Sequence, residues 1–341
     1  MPGGSVLSQN TTKKKYDVLG VGSSIVDILG NCEDRFISEI QANKGTMHLV
    51  DQSKILNLTE RIKSFDKVSG GSVANTMVGL ASFGAQTAFI GKINNDDLGN
   101  FFAEDIRSQG VFYRTTPLDD LLPTARCIVL ITPDAERTMF TYLGASGFLS
   151  SEDIKEHLIA ESEILYIEGY QWDIKSAREG IINASKKAAR YKTKVALTLS
   201  DPFVVERHRD SLIPFIKQFV DILLCNEEEI KSLFQSLDLD MALLKIKPIV
   251  EVAAVTCGNR GAYTIEKDKP FLTPAFDVPN VLDTTGAGDM FAAGFLYGYV
   301  NKQKGSDSAL LGNLAASEII THLGARPNVS LATLSEKVNK F

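Results

Sequence analysis

One short run of residues has the types and spacing that suit phosphate chemistry. It is Asp283-Thr284-Thr285-Gly286-Ala287-Gly288-Asp289, followed by an apolar segment at 290–300. Small residues at the start of a helix expose consecutive backbone N–H groups, and the partial positive charge there favours phosphate. Asp289 falls in the first helical turn, where a carboxylate near a hydroxyl can act as a general base. A helix cap needs one Thr or Asp and not the whole run, so the run predicts a phosphoryl-transfer site.

The rest of the chain supplies the elements that would position this run. Short apolar runs alternate with segments of helical pattern. The candidate strands are 16–22, 88–91, 164–168, 195–199, 222–225, 253–256 and 262–266, and the candidate helices are 72–83, 98–109, 176–190, 227–233, 287–300 and 306–322. Strands that alternate with helices favour βαβ units. We therefore predict an α/β fold with a mainly parallel sheet and helices on both faces.

Two stretches, 28–50 and 126–143, depart from this rhythm because polar and apolar residues alternate in them. They are better explained as antiparallel strands than as crossover helices. A small sheet of this kind beside the main layer is a natural lid. We predict one domain at 16–330, a lid formed by about 28–50 and 112–145, and a flexible tail at 1–15.

The composition excludes several classes of partner. Lys and Arg total 36 against 42 Asp and Glu, which gives a net charge of −6, and no dense basic stripe argues for nucleic acid. No window approaches the roughly 18 apolar residues that span a bilayer. The four cysteines lie far apart without CxxC spacing, which is typical of buried, reduced thiols. We expect a cytoplasmic protein with no nucleic-acid or membrane partner.

Two motifs carry a resemblance to a known family. DTTGAGDMFAAGF closely resembles the C-terminal signature of the ribokinase-like, or PfkB, family of sugar and nucleoside kinases, and the segment from Gly70-Gly71 to Gly110-Val111 resembles its N-terminal signature. The resemblance covers about 16–327. It implies a three-layer ribokinase-like fold with a β-sheet lid, and an ATP-dependent kinase with an alcohol group as acceptor.

The same resemblance implies roles for the phosphate-binding residues. Asp289 matches the catalytic base, and the backbone at Gly286, Ala287 and Gly288 matches the anion hole, while Arg137 approaches the phosphates from the lid. This arrangement is coherent because phosphoryl transfer needs positioning and charge neutralisation above all. Asp283 and Thr285, with the loop at 323–327, resemble positions that hold a monovalent cation, so potassium is a possible cofactor.

The nucleotide side is implied in the same way. Asn226-Glu227-Glu228-Glu229 resembles the NxxE motif, in which Asn226 and Glu229 organise Mg²⁺, Glu229 through water. An acidic first helical turn is the competing explanation. The turn at 256–262 resembles the ATP loop, although tight hairpins use the same residue types. Together with a position on the next helix, the ATP-binding candidates are Asn226, Glu229, Thr256, Gly258, Gly261 and Asn313.

The acceptor side resembles the adenosine kinase branch. Asp27 matches a carboxylate that grips two vicinal sugar hydroxyls, a task that suits one carboxylate, although a solvated turn residue is the default for Asp27 alone. Gly71 and Asn75 match further ribose contacts. Segments at 134–139, 142–146, 168–173 and 199–203 resemble that branch, in which the positions of Gln171 and Phe203 flank a purine. Ser23 stands where the branch usually has Asn, which leaves a shorter hydrogen-bonding side chain.

Several alternatives remain open. A kinase of a free sugar or sugar acid, such as ribose, fructose or 2-keto-3-deoxygluconate, is the nearest, and a catalytically inactive binding relative is a second. A nicotinamide dehydrogenase is suggested by Gly20-Val21-Gly22, yet Ile25 replaces the third glycine of GxGxxG. We expect ATP and Mg²⁺ as cofactors, a nucleoside or sugar as substrate, and a monomer or weak dimer.

Overall fold

The computed structural model describes residues 13–62, 65–120, 122–134, 136–266 and 269–338. The strands are β1 (Tyr16–Val21), β2 (Ile25–Asn31), β3 (Met47–Leu49), β4 (Asp66–Gly70), β5 (Thr87–Ile90), β6 (Phe112–Tyr113), β7 (Ala125–Ile131), β8 (Arg137–Tyr142), β9 (Ser162–Glu168), β10 (Lys194–Thr198), β11 (Ile222–Asn226), β12 (Val252–Thr256), β13 (Ala262–Ile265) and β14 (Phe271–Thr273). The helices are α1 (Asp34–Glu39), α2 (Gln52–Arg61), α3 (Ser72–Ser82), α4 (Asp97–Ser108), α5 (Glu156–Ala160), α6 (Lys175–Tyr191), α7 (Pro202–Phe219), α8 (Glu227–Phe234), α9 (Leu239–Ile246), α10 (Ala287–Val300), α11 (Gly305–Ile319) and α12 (Leu331–Val338).

The main sheet has nine strands in the order β14-β13-β12-β11-β10-β9-β1-β5-β6. Its strands are parallel from β6 to β12, and β13 pairs antiparallel with both β12 and β14. One apolar core joins it to α3, α4, α10 and α11, and a second joins its other face to α5 through α9. Burial on both faces explains the continuous apolar runs of the central strands. The predicted α/β fold with a mainly parallel sheet between helices is confirmed.

A second sheet of five strands has the order β3-β8-β7-β2-β4, and we call it the small sheet. Its strands β7 and β8 pair antiparallel, as do β2 and β4, whereas β2 pairs with β7 and β3 with β8 in parallel. The stretch 28–50 is not made of strands alone, since α1 separates β2 from β3. This part of the prediction was wrong. Ile37 in α1 and Ile40 just after it are both buried, and this three-residue spacing is typical of a helix and not of a strand with alternating residues.

The two faces of the small sheet have different surroundings. Val26, Ile28 and Phe140 point to the back face, which packs into the core with α1 and α2. The register places Asp27 beside Cys127, Cys127 beside Thr141, and Thr141 beside Leu49 on the opposite face. Side chains directly opposite each other in a sheet share a face, so the second face presents Asp27 within a largely apolar row.

Glycines at the end of β1 serve helix packing. A Cβ at Gly20 would lie 2.5 Å from Val73 Cγ1, and one at Gly22 would lie 2.5 Å from Glu168 Oε2. The glycines therefore let α3 and the end of β9 approach β1 closely, which explains them without a dinucleotide.

The start of the chain lies partly outside the described residues. Of the tail predicted at 1–15, residues 1–12 lie outside them. Lys14, by contrast, is anchored, because its Nζ donates to Ser162 O, Tyr191 O and Thr193 Oγ1 at 2.8–3.0 Å. Across the described ranges, the search for a helix long and apolar enough to cross a bilayer finds none.

Candidate active site

Residues 283–289, which we call the anion loop, lead into the start of α10. Its N-cap is Gly286, with φ of +80°, and a Cβ there would lie 2.7 Å from Ala325, so both the backbone conformation and the close approach require glycine. The first intrahelical hydrogen bond runs from Met290 N to Gly286 O, and Ala287 N donates back to Thr284 O at 3.2 Å. The amides of residues 288 and 289 therefore precede the helix acceptors and can donate to an anion.

The Asp283 carboxylate stabilises the anion loop through hydrogen bonds. Its Oδ1 accepts hydrogen bonds from Thr285 N at 3.0 Å and Thr285 Oγ1 at 2.7 Å, and its Oδ2 accepts from Gly324 N at 3.1 Å. Burial opposes the charge of this carboxylate, yet these bonds and the Arg137 cation hold the pKa of Asp283 below its ordinary value. Both carboxylate oxygens are thus engaged within the protein, and potassium binding at Asp283 and Thr285 stays a prediction.

Arg137 connects the small sheet to the anion loop. From the first position of β8, its Nη1 lies 2.9 Å from Asp283 Oδ2 and donates to Thr285 Oγ1 at 3.2 Å. The family resemblance implied that Arg137 lies near the phosphates, and the structure brings its guanidinium against Asp283 and Thr285, just before α10.

The Asp289 carboxylate is held by α3. Ser72 Oγ donates to Oδ1 at 2.7 Å and Asn75 Nδ2 donates to Oδ2 at 3.0 Å, while Thr76 Oγ1 donates to the Asp289 backbone carbonyl. Burial raises the pKa of Asp289 to about 6, against the two donated hydrogen bonds, which lower it. A carboxylate that is ionised at neutral pH and whose pKa lies near the working pH is suited to accept a proton.

Asp27 stands on the second face of the small sheet next to Gly70. A Cβ at Gly70 would lie 2.5 Å from Asp27 Oδ2, so the glycine leaves room for this carboxylate. Among the described residues, none donates a hydrogen bond to the Asp27 carboxylate. Burial raises its pKa to about 7, and the nearby Asp289 acts in the same direction, while Arg326 and Arg137 lower it. A half-buried carboxylate with free acceptor oxygens is suited to hydroxyl groups of a ligand.

Ser23 and Gln171 meet at Glu168, a fully buried carboxylate at the end of β9. Glu168 Oε1 accepts from Ser23 N, Ser23 Oγ and Gln171 Nε2, and its Oε2 accepts from Val73 N at the start of α3. Gln171 Nε2 also donates to Ser23 Oγ at 2.8 Å. Ser23 and Gln171, both predicted to bind substrate, are thus buried and hydrogen-bonded to Glu168. In this structure they stabilise the protein behind the site. No sequence motif had indicated a role for Glu168.

Gly71 also serves the packing behind the site. It is the N-cap of α3 with φ of +98°, and a Cβ there would lie 2.2 Å from Ser23 O. The close approach that its glycine permits is therefore to the turn between β1 and β2. Asn75, one turn later, is 4% exposed and bonded to Asp289.

Comparison with known proteins agrees with this geometry. A model described as the pfkB family carbohydrate kinase matches residues 46–331. The chain belongs to the PfkB family. It is therefore an ATP-dependent kinase, and its acceptor is a sugar or a nucleoside.

Individual relatives of this PfkB kinase differ in the activity named for them. The solved structure of a probable sugar kinase from Rhizobium etli CFN 42 is 38% identical, covers 96% of this chain and 100% of its own, and has a TM-score of 0.90. The adenosine kinase structure from Sinorhizobium meliloti is 40% identical with a TM-score of 0.89, and covers 95% of this chain and 99% of its own. The 5-dehydro-2-deoxygluconokinase of Lacticaseibacillus casei is 26% identical over 94% of this chain and 95% of its own length.

On the nucleotide side of the kinase, Asn226 and Glu229 form a capping box at the start of α8. Asn226 Oδ1 accepts from Glu229 N at 2.8 Å, and Asn226 Nδ2 donates to Glu229 Oε1 at 2.7 Å. Burial raises the pKa of Glu229 to about 7. Asn226 and Glu229 therefore form a helix cap, and the same two residues are the predicted magnesium site.

The residues present fit Mg²⁺ only as an ion carried by phosphates. Within the described ranges, no group of three His, Cys, Asp or Glu side chains is arranged to hold a metal. Mg²⁺ usually keeps several waters and binds through one or two carboxylates plus substrate phosphates. Glu229, 5% exposed and hydrogen-bonded to Asn226, suits such an outer contact through water.

The remaining ATP-binding candidates lie between β12 and α11. Thr256 ends β12, and Gly258 is exposed with open space at its Cβ. Gly261 has φ of +99°, and its Cβ would lie 2.1 Å from Thr273 O, so it is required by the hairpin. Asn313 Nδ2 donates to the carbonyls of residues 273 and 274 at 3.0 and 2.9 Å. Asn313 thus fastens α11 to the strand that faces it, and only its Oδ1 stays available to an adenine.

Phe203 lies at the start of α7 with 67% of its surface exposed. Its backbone N donates to Asp201 Oδ1, the N-cap of that helix. Tyr170, 38% exposed, donates from its hydroxyl to Ser200 O, and after burial the carboxylates of Asp201 and Asp289 are the main causes that raise its pKa. Tyr170 and Phe203 are thus exposed just after the carboxyl ends of the neighbouring strands β9 and β10. The role of Phe203 beside a purine stays a prediction.

Proposed function

We propose that this kinase transfers the γ-phosphoryl group of ATP to the 5′-hydroxyl of adenosine, with AMP and ADP as products. The Asp289 carboxylate takes the hydroxyl proton while the hydroxyl oxygen forms a bond to the γ-phosphorus, and the bond from that phosphorus to the β-γ bridging oxygen breaks. The electron pair of that bond leaves with ADP. A base within reach contributes about 10²–10⁴-fold to such a step.

The charge of the transferring group is met by the anion loop. The amides of residues 288 and 289 point out of the start of α10, where the helix dipole favours anions, and Arg137 already lies against this loop. Mg²⁺ held at the phosphates through Asn226 and Glu229 would neutralise their remaining charge. Preorganised donors of this kind stabilise phosphoryl oxygens without reorganising during the reaction.

The ribose is assigned to Asp27. Its carboxylate is half-buried, accepts no hydrogen bond from described residues, and lies near enough to Asp289 for their charges to interact. Vicinal 2′- and 3′-hydroxyls would supply the two donors that this carboxylate lacks. The 5′-carbon would then extend toward Asp289.

The observation that carries the nucleoside assignment is the apolar surface around Asp27. Met47 and Leu49 are 46% and 60% exposed and lie on the same face of the small sheet as Asp27. Tyr170 and Phe203 are exposed in the segments that follow β9 and β10 of the main sheet. Exposed apolar and aromatic side chains of this size suit the faces of a purine. We infer that the small sheet closes as a lid over the base and excludes water.

The alternative is a sugar acid, as the name of the Lacticaseibacillus casei relative suggests. A carboxylate on the acceptor would need a cation near Asp27. The two arginines that act on Asp27 are Arg326 and Arg137, and they are paired with Asp105 and Asp283. The site therefore favours an uncharged acceptor, in agreement with the name of the Sinorhizobium meliloti neighbour.

A coupled assay of ADP formation tests the proposal. Initial rates would be compared for adenosine, inosine, ribose, fructose, 2-keto-3-deoxygluconate and 5-dehydro-2-deoxygluconate. We expect adenosine to give the highest kcat/KM by at least tenfold. A higher value for a free sugar or sugar acid would replace adenosine by that acceptor, and no turnover with any acceptor would favour an inactive binding relative.

A further inference from the structure

The loop between α11 and α12 sends one arginine toward the catalytic base. Arg326 has 11% of its side chain exposed, and its Nη1 pairs with the Asp105 carboxylate on α4. Its Nε donates to Asn75 Oδ1 at 3.4 Å. Asn75 in turn donates from Nδ2 to Asp289 Oδ2 at 3.0 Å. The four side chains of Asp105, Arg326, Asn75 and Asp289 thus form one continuous hydrogen-bonded series.

We propose that Arg326 is a positioning residue for phosphoryl transfer, because it holds the Asn75 amide with its N–H group toward the Asp289 carboxylate. This inference rests on the proposed role of Asp289 as the base, and it does not depend on which alcohol is the acceptor.

The chemistry of the series leaves the amide a single orientation. A guanidinium can only donate and an ionised carboxylate can only accept, whereas an amide does both at opposite ends. Asn75 must therefore turn its oxygen to Arg326 and its nitrogen to Asp289. When Asp289 has taken the proton from the acceptor, it becomes a donor and would attract the amide oxygen. Arg326 opposes that reversal, so Asp289 is ready to release its proton for the next turnover.

The series is not arranged for stability alone. Arg326 Nη2 is buried and has no hydrogen-bond partner within the described residues, and burial lowers the pKa of this arginine against the opposing effects of Asp105 and Asp27. Burying an incompletely paired cation is unfavourable, and an apolar residue of similar volume would fill the space at lower cost. A role at the site accounts for a buried guanidinium better than packing does.

Other charged and titratable groups face the same carboxylates and must be separated from the effect of Arg326. Asp289 is influenced by Glu168 and lies near Asp27, and its charge reaches two tyrosines. Besides Arg326, the charged and titratable groups that act on Asp289 or Asp27, or are influenced by them, are Asp27 on β2, Cys127 on β7, Arg137 on β8, Tyr166 and Glu168 on β9, and Tyr170 just after β9. Because these groups stay in place in an Arg326 variant, they form a constant background.

The test compares Arg326→Met with Arg326→Lys. Lys can pair with Asp105, but it lacks the second, coplanar donor that contacts Asn75. We expect Arg326→Met to lower kcat by about 10–100-fold, with the KM for ATP within about twofold, since it removes a group that positions a general base. We expect Arg326→Lys, which keeps a cation beside Asp105, to have the melting temperature of wild type but a kcat as low as that of Arg326→Met. Arg35→Met, at an exposed position on α1, is the matched control and should behave as wild type.

A second readout follows the carboxylate directly. The titration of Asp289 is measured by NMR on protein with ¹³C-labelled aspartate carboxyls, and Asp289→Asn assigns its resonance. In Arg326→Met the midpoint should move to higher pH, because the donated N–H is no longer held toward the carboxylate. In Arg326→Lys it should move by a similar amount.

The outcomes separate this inference from the proposed function. If kcat in Arg326→Lys equals that of wild type, or if the Asp289 midpoint stays at its wild-type value in both variants, Arg326 has only a structural role and the inference is overturned. If Arg326→Met fails to fold, Arg326→Lys alone decides by the same criteria. Failure to phosphorylate adenosine would instead overturn the acceptor assignment and leave the NMR result valid.

Discussion

Replacing Ser72 with Ala removes one of the two side-chain hydrogen bonds that hold the Asp289 carboxylate. Ser72 is the first residue of α3, and its Oγ donates to Oδ1 at 2.7 Å. That bond stabilises the charged form of Asp289, whose pKa burial has raised to about 6. The substitution should therefore raise this pKa further and move the acid limb of the rate profile to higher pH.

The size of the shift follows from the geometry. A hydrogen bond to a charged group contributes about 1.5–3 kcal/mol, and about 1.4 kcal/mol corresponds to one pKa unit. Asn75 remains as a donor, and Asp289 is only half-buried, so we take the lower end, a shift of about one unit. A shift from about 6 to about 7 lowers the ionised fraction roughly fivefold at pH 6 and by less than about a tenth at pH 8.

The assay is the single-turnover rate of the preformed complex of enzyme, ATP and acceptor, measured by rapid quench between pH 5 and pH 9. Single turnover excludes product release, and the bound acceptor hydroxyls would occupy Asp27. Glu229 is unchanged in the variant, so the difference between the acid limbs of variant and wild type reports on Asp289. Ser185→Ala is the control. Ser185 lies in α6, is buried, and donates to Ile181 O at 2.9 Å, remote from Asp289 in the fold.

Three results would refute this reasoning. An acid limb that stays in place in Ser72→Ala would mean that the hydrogen bond does not stabilise the ionised base. A rate that is lower by the same factor at every pH would mean that Ser72 sets the position of Asp289 and not its protonation. A comparable shift in Ser185→Ala would assign the effect to general loosening of the fold.

Three further predictions concern the base, the acceptor and the hairpin of the nucleotide side. Asp289→Asn should lower kcat by at least about 10³-fold while acceptor binding, measured by calorimetry, stays within about threefold, since the base acts in the transition state; full activity would exclude Asp289 as the base. Asp27→Asn should raise the KM of the acceptor about 10–100-fold with the KM of ATP unchanged, because charged hydrogen bonds contribute about 1.5–3 kcal/mol; an unchanged acceptor KM would exclude the contact. Gly261→Ala should lower the free energy of unfolding in urea by at least about 2 kcal/mol, and by more than Gly110→Ala, since both have positive φ but only Gly261 meets a backbone oxygen; equal losses would contradict the predicted clash.

Local sequence pattern was enough to predict much of the main fold. The helices at 72–82, 97–108 and 287–300 begin and end within a residue or so of their predicted bounds. Helix α4 carries a periodic apolar stripe, and α3 and α10 are nearly continuous runs of apolar or small residues that follow a glycine N-cap. The helix α7 was missed, although Asp201 and Pro202 form a typical start. Pro214 lies inside it, and an interior proline usually ends a helix. Packing of Phe215 and Ile216 into the core overrides that preference.

Some parts of the site could be predicted from local sequence, whereas others depend on tertiary contacts. The anion loop and the capping box are formed within short segments, so their motifs could be recognised. The bonds from Ser72 to Asp289 and from Lys14 to Ser162 join residues 217 and 148 positions apart, and no local pattern encodes them. Arg326 lay in a loop that resemblance had assigned to a cation. Its contact with Asn75 becomes visible only when the chain after α11 is seen to run back along α3.

Helix α3 explains how acceptor and phosphate sites can keep one geometry. At its start, Gly71 approaches the turn that leads to Asp27, and Ser72 and Asn75 hold Asp289. Further along, a Cβ at Gly79 would lie 2.7 Å from Ala293 Cβ, so α3 and α10 pack almost backbone to backbone. Helices packed this closely move as one body. A movement of the small sheet would therefore change the contact of Arg137 with the anion loop and leave the bonds to Asp289 intact. The proposed closure over the substrate and the proposed alignment of the base thus depend on different parts of the fold.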